Sequence, residues 1–182
     1  PTAVASLAAA ESDLREALGN RIFGSNDDEL VEIVTSYLSE HGQTVATAES
    51  CTGGLIAKTF TDVAGSSQFF VGSCIAYSNE VKTEVLRVEK ETLEKHGAVS
   101  ENVAAEMAEG AKKLFGTTWA ISTTGIAGPG GAVDGKPVGT VCIGIAGPTG
   151  TETLRRHLLG DRSGVRRNTT LLALDRLREK II

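Results

Sequence analysis

Short apolar runs of strand length alternate along this chain with segments whose apolar residues recur every three or four positions. That alternation limits the possible folds more than any other property of the sequence. Helices inserted between strands cross over a sheet and cover its faces. Residues 44–48, 69–77 and 119–124 read as strands, the second of them buried. A helix follows the first strand to about Thr61. Residues 78–86, 90–96 and 100–115 have helical spacing, with Ser100 as an N-cap and Val103 and Met107 turned inward. Residues 138–146 and 153–159 read as consecutive strands joined by the turn Gly147-Pro148-Thr149-Gly150. A last helix starts near Ser163 and carries Leu171, Leu172, Leu174 and Leu177. Crossovers followed by a hairpin predict an α/β fold, a three-layer α/β/α sandwich with a mixed sheet.

Ahead of this body, residues 1–18 read as an alanine-rich helix with Leu7, Leu14 and Leu18 on one face, closed by Gly19. Asn26, with Glu29 three residues on, is expected to cap a second helix. That helix places Leu30, Ile33, Val34, Tyr37 and Leu38 at 3.6 spacing down to Gly42. Residues 1–26 are therefore read as a helix and linker extension, and residues 27–182 as one domain. A chain opening on Pro1 rather than Met reads as processed or as cut from something longer.

A length of 182 residues suits one domain with its own core. No apolar run of about 18 residues and no secretory leader is visible, so a cytoplasmic protein without a membrane association is expected. The net charge of −5 and the 4% aromatic content argue against a nucleic-acid binder. Charge is uneven. From residue 151 onward eight basic residues face four acidic ones, +4, so the remainder carries −9. A basic end on an acidic protein fits one local anionic ligand or a solvated helix face. Cys51, Cys74 and Cys142 are an odd set without CxxC spacing, and His41, His96 and His157 are isolated. Reduced thiols and no metal site are the expectation.

Glu49-Ser50-Cys51-Thr52-Gly53-Gly54 lies where a strand ends and a helix begins. Ligands of α/β sheets bind at such ends, where free backbone N–H groups can hold a phosphate or an oxyanion. Ser50 at this mouth serves either as a helix cap or as a nucleophile toward a carbonyl. The segment is not a P-loop, because Ala57 precedes Lys58-Thr59 and Thr52 stands where the first glycine belongs. Nor is 125–131 a dinucleotide fingerprint, although its glycines allow close backbone approach to a ligand. A serine nucleophile needs a base, and no histidine is tied to Ser50. Lys82, in the helix after the strand ending at Tyr77, is a candidate base if burial lowers its pKa; otherwise it is a solvated helix lysine. Tyr77 reads as a rim or core residue. Cys51 is the rival nucleophile, or else a small buried thiol.

Five segments in this order resemble a known family: residues 47–54 (TAESCTGG), 76–82 (AYSNEVK), 96–100 (HGAVS), 124–131 (TGIAGPGG) and 135–141 (GKPVGTV). They are similar to the C-terminal domain of the competence/damage-inducible protein CinA, which in turn resembles bacterial nicotinamide-nucleotide amidohydrolases. The resemblance runs from about Leu30 to the end. It implies deamidation of nicotinamide mononucleotide to nicotinic acid mononucleotide and ammonia, with no metal or organic cofactor. It implies Ser50 as nucleophile, Lys82 as base and Tyr77 beside them. Glu49, Cys51, Thr52, Gly53 and Gly54 would form the oxyanion and substrate-binding turn. The 5′-phosphate of such a substrate would fall to Thr123, Thr124, Gly125 and Gly128 together with Arg162 and Arg166, Arg167 being a further candidate. The resemblance further implies a homo-oligomer, dimer or larger. Residues 13–24 resemble the linker of a longer, two-domain form. Two other classes remain open on the sequence: a nucleotide- or phosphate-binding module without turnover, and an interaction domain of a longer CinA-type protein.

Overall fold

Helix starts in this chain are set mainly by short polar side chains, and strand burial decides which face each residue sees. The computed structural model describes residues 2–182. In chain order it runs α1 (Ala3–Leu18), α2 (Leu30–Glu40), β1 (Val45–Glu49), α3 (Leu55–Thr61), β2 (Phe70–Ile75), α4 (Asn79–Glu84), α5 (Lys90–His96), α6 (Glu101–Phe115), β3 (Trp119–Gly125), β4 (Thr140–Gly147), β5 (Gly150–His157) and α7 (Arg162–Ile181). Ser78 Oγ accepts from the Val81 amide at 3.3 Å, Ser100 Oγ from Val103 at 3.3 Å and Asp161 Oδ1 from Gly164 at 2.7 Å. These bonds satisfy donors that the first turns of α4, α6 and α7 would otherwise leave open.

The sheet order is β2-β1-β3-β4-β5. β1 runs parallel to both β2 and β3, and β4 and β5 are antiparallel additions. The architecture is thus the expected three-layer sandwich around a mixed sheet. Every residue of β1 is buried, as its central position requires. Period-two alternation sends Val45, Thr47 and Glu49 to one layer and Ala46 and Ala48 to the other. On the first face α2, α3 and α7 contribute Val34, Leu38, Phe60, Leu174 and Leu177 to a core with Val45 and Ile121. On the second face Val103 and Met107 of α6, with Leu86 and Val88, pack on Ala48 and Ala120. Burial of each such large side chain contributes about 1.5–3 kcal/mol. A Cβ on Gly110 would lie 2.0 Å from the Leu86 carbonyl oxygen. Glycine there lets the exit of α4 lie directly on α6, which fixes the helix that carries Lys82.

Three expectations change. β2 is not a buried central strand but the sheet edge, and Val71 and Ile75 are about half exposed because nothing pairs beyond them. Asn26 does not cap α2. It adopts a left-handed turn conformation (φ 54°), and the helix begins only at Leu30, after Glu29, without a side-chain cap. The apolar face of α1 buries no residue, and Leu7, Leu14 and Leu18 are exposed. Pro1 lies outside the described residues.

Candidate active site

The carboxyl ends of β1, β2 and β3 lie side by side, and the segments leaving them line a cavity of about 210 Å³. Ser50 enters it from β1, Tyr77 from β2, and Thr124 and Gly125 from β3. Lys82 and Arg162 complete the wall from α4 and α7. Where Glu49 turns toward α3, Ser50 one residue later meets the opposite layer and its Oγ lies 3.4 Å from Lys82 Nζ. Lys82 is 1% exposed. Its Nζ donates to the Ala76 carbonyl at 2.8 Å and to the Tyr77 carbonyl at 3.2 Å. An amine has four tetrahedral positions. The side chain takes one and the two nearer carbonyls take two, which leaves the fourth to Ser50 Oγ at 3.4 Å and the Ser78 carbonyl at 3.5 Å. Burial lowers the Lys82 pKa below the ordinary 10.5, against smaller opposing pulls from Cys51 and then Glu80. A lysine held this way is poised to act as a base.

The turn from Ser50 to Gly54 is fixed from three sides. The Ser50 amide donates to the Thr123 carbonyl at 2.9 Å. Arg166 donates from Nη2 and Nε to the Thr52 carbonyl at 2.6 and 3.3 Å. Glu49, fully buried, accepts from the Gly54, Ile56 and Ala57 amides at 2.9, 3.2 and 2.8 Å. The first turn of α3 is therefore capped by Glu49, and Ser50 is left free of that task. Gly53 and Gly54 both have positive φ (59° and 92°), which the reversal requires. Among the described residues the amides of Cys51, Thr52 and Gly53 donate to no backbone or side-chain oxygen, while those of Cys51 and Thr52 face the Cys51 sulfur. Of these three residues only Cys51 lines the cavity beside Ser50, and an amide there can serve an oxyanion.

Not every residue singled out from the sequence reaches the cavity. Glu49 faces α3 instead. Thr52 and Thr123 are fully buried, their hydroxyls bonded to each other at 2.7 Å. Thr124 does line the cavity, but its hydroxyl donates to the Ala98 carbonyl at 2.7 Å. Cys51 lines it too, and burial pushes its thiol up to about 12, so the thiolate is scarce near neutral pH. Tyr77 is 63% exposed at the mouth, with its hydroxyl 3.4 Å from Arg162 Nη2. Arg162 also donates to the Gly128 carbonyl at 2.9 Å. Arg167 is exposed. Asn79, Ala98 and Val99 line the cavity without having been anticipated. Asn79 was within reach of sequence reasoning, since it sits between Tyr77 and Lys82; the other two come from the link between α5 and α6. Among the described residues no three His, Cys, Asp or Glu side chains are grouped to hold a metal ion, and no helix is long and apolar enough to cross a membrane.

The profile of the CinA C-terminal domain matches residues 27–181. Among curated proteins, a CinA-like protein of Fervidobacterium nodosum is 49% identical over 165 residues, covering 91% of this chain and 40% of the relative. A CinA-like protein of Parasynechococcus marenigrum is 47% identical over 184 residues, covering 100% of this chain and 44% of the relative. The chain thus spans about two fifths of the length of these relatives. Among solved structures, the CinA superfamily protein of Klebsiella pneumoniae superposes with a TM-score of 0.80 at 36% identity, covering 85% of this chain and 98% of that one. The competence/damage-inducible protein CihA of Agrobacterium tumefaciens gives 0.79 at 37% identity, covering 87% and 97%.

Proposed function

From the premise that this chain belongs to the CinA C-terminal domain family, we propose that it is an amidohydrolase that deamidates nicotinamide mononucleotide, with Ser50 as nucleophile and Lys82 as base. The observation that carries the reading is the Lys82 amine. It is buried, held by the backbone carbonyls of residues 76–78 and turned toward the Ser50 hydroxyl at the floor of a cavity. The separation of 3.4 Å is long for a hydrogen bond, and such contacts tighten when substrate binds.

In this reading the neutral Lys82 amine takes the Ser50 proton as Oγ bonds to the carboxamide carbon. The carbonyl electron pair moves to oxygen, where amides of the 51–53 turn would receive it; each such donor is worth roughly 3 kcal/mol. The tetrahedral species collapses, the C–N bond breaks, and Lys82 returns the proton to the departing nitrogen, which leaves as ammonia. Water then adds to the acyl-enzyme, giving up its proton to Lys82, and the C–Oγ bond breaks as Lys82 returns that proton to Oγ, which yields nicotinic acid mononucleotide, the Ser50 hydroxyl and the neutral amine.

Size supports a ring at the floor and a phosphate at the mouth. An apolar cavity of about 150 Å³ holds a benzene ring, so about 210 Å³ accepts one aromatic carboxamide with little to spare. The ribose phosphate would then project toward exposed Arg162, whose guanidinium can meet it with charge-assisted bonds. The test is ammonia release from nicotinamide mononucleotide by purified protein, alongside Ser50→Ala. Release by the wild type alone supports the reading. Binding without release leaves a nucleotide-binding module, and neither binding nor release leaves an interaction domain.

A further inference from the structure

The cap on α3 comes from an unusual place. A helix is ordinarily capped by the residue at its own N-cap position. Here that position is Gly54, which has no side chain to offer. The acceptor is Glu49, five residues upstream, and it reaches α3 across the turn that carries Ser50. The backbone of Glu49 is itself immobile, paired with Ile75 of β2 on one side and Thr123 of β3 on the other. Its carboxylate spends one oxygen on Gly54 and Ile56 and the other on Ala57, with Thr47 Oγ1 3.3 Å from the second. The two ends of the Ser50–Gly53 segment are therefore tied together by one side chain.

We infer that Glu49 is a positioning residue for the proposed reaction, its carboxylate closing the 50–53 turn so that Ser50 Oγ is held in place against Lys82. The inference rests on the amidohydrolase reading, since it assigns Glu49 a task only if Ser50 reacts. Glu49 neither lines the cavity nor touches Lys82. It has a second consequence. Because a carboxylate already occupies the start of α3, a substrate phosphate is repelled from that end and is directed to the Arg162 side of the mouth.

Glu49→Gln keeps the size of the side chain but turns an NH2 group toward backbone N–H donors, so the turn loosens. A displacement of about 1 Å at a reacting atom can cost on the order of 100-fold. The expected result is a fall in kcat of roughly ten- to a hundredfold with KM within about twofold. Labelling of Ser50 by a fluorophosphonate probe should slow by a similar factor per folded molecule, with the pH midpoint of activity unmoved. Circular dichroism and thermal melting establish the folded fraction. Should Glu49→Gln not fold, Glu49→Asp carries the test, because its shorter carboxylate cannot span the same three amides. Failure of both variants to fold overturns the inference, since the residue then serves the fold alone. So does a labelling rate equal to wild type per folded molecule, or a rise in KM with kcat intact, which would make Glu49 a substrate ligand. A wild type that neither labels at Ser50 nor releases ammonia overturns the amidohydrolase reading itself.

Discussion

The floor and the mouth of the cavity are built on different terms. At the floor Lys82 is buried, behind it Glu49, Thr52 and Thr123 are buried as well, and each polar side chain is spent on a protein partner. At the mouth, Tyr77, Asn79 and Arg162 are exposed, and Arg162 is held by the Gly128 carbonyl and a long contact to the Tyr77 hydroxyl. Desolvated groups with fixed partners set what reaction can occur, because their orientation is settled before a ligand arrives. Exposed groups with spare donors set which molecule is retained. The difference predicts that substitutions at the floor change kcat, and that substitutions at the mouth change KM.

Ser50→Ala is the severest way to break this division. Without the hydroxyl no acyl-enzyme forms, and ammonia release should fall by about 10⁴-fold or more. Retention of more than a tenth of the rate would remove Ser50 from the chemistry. Lys82→Met comes next, with an expected loss of about 10²–10⁴-fold. It also has a signature in stability. Burial holds the folded-state pKa of Lys82 below the ordinary 10.5, so between those two values the unfolded chain binds more protons than the folded one. Wild-type stability therefore rises with pH across that window, is complete above 10.5 and is lost as pH falls to the folded pKa. Lys82→Met lacks that slope. Melting curves at neutral and alkaline pH should show wild type gaining on the variant as pH rises, and parallel curves would place the amine in water.

The floor was largely legible in the sequence because it is local. The strand–turn–helix segment around Ser50 and the position of Lys82 one and a half turns into its helix depend on neighbours close in the chain. The Ser100 cap and the late hairpin were readable for the same reason. Glu49 shows where the reading stopped short. It belongs with the turn, but as the tie that holds it, and alternation along β1 does place it on the α3 face. Arg166 could not have been assigned to Thr52, 114 residues away, without knowing how α7 lies over the turn. The edge position of β2 was equally hidden, since a mostly apolar stretch of six residues does not say how many neighbours it has. At Asn26 the N-cap signature was present, but the backbone took a left-handed turn there instead.

Arg162→Ala probes the mouth. Its guanidinium already bonds to Gly128 and reaches Tyr77, and a charge-assisted bond to a phosphate is worth about 1.5–3 kcal/mol. KM for nicotinamide mononucleotide should rise roughly ten- to a hundredfold with kcat within about threefold. The corresponding riboside, without phosphate, should be affected far less. Equal effects on both would show that Arg162 shapes the mouth and does not hold the anion.

Cys51→Ala should have the smallest effect and the sharpest meaning, because it tests whether location at the floor is enough to make a residue catalytic. Cys51 lies directly beside Ser50 and lines the cavity. Yet burial pushes its thiol up to about 12, so at neutral pH it is a small apolar side chain packed against Ala127, Val141 and Val165. Alanine removes one sulfur from that packing and leaves the backbone amide of residue 51 in place. The expected cost is about 1 kcal/mol in stability and less than about threefold in kcat. Wild type should also resist thiol-alkylating reagents under native conditions while remaining sensitive to serine-directed probes. A loss of activity comparable to that of Ser50→Ala would transfer the nucleophile to sulfur and leave the hydroxyl as its neighbour. A silent Cys51→Ala would mean that what distinguishes Ser50 is the amine facing it.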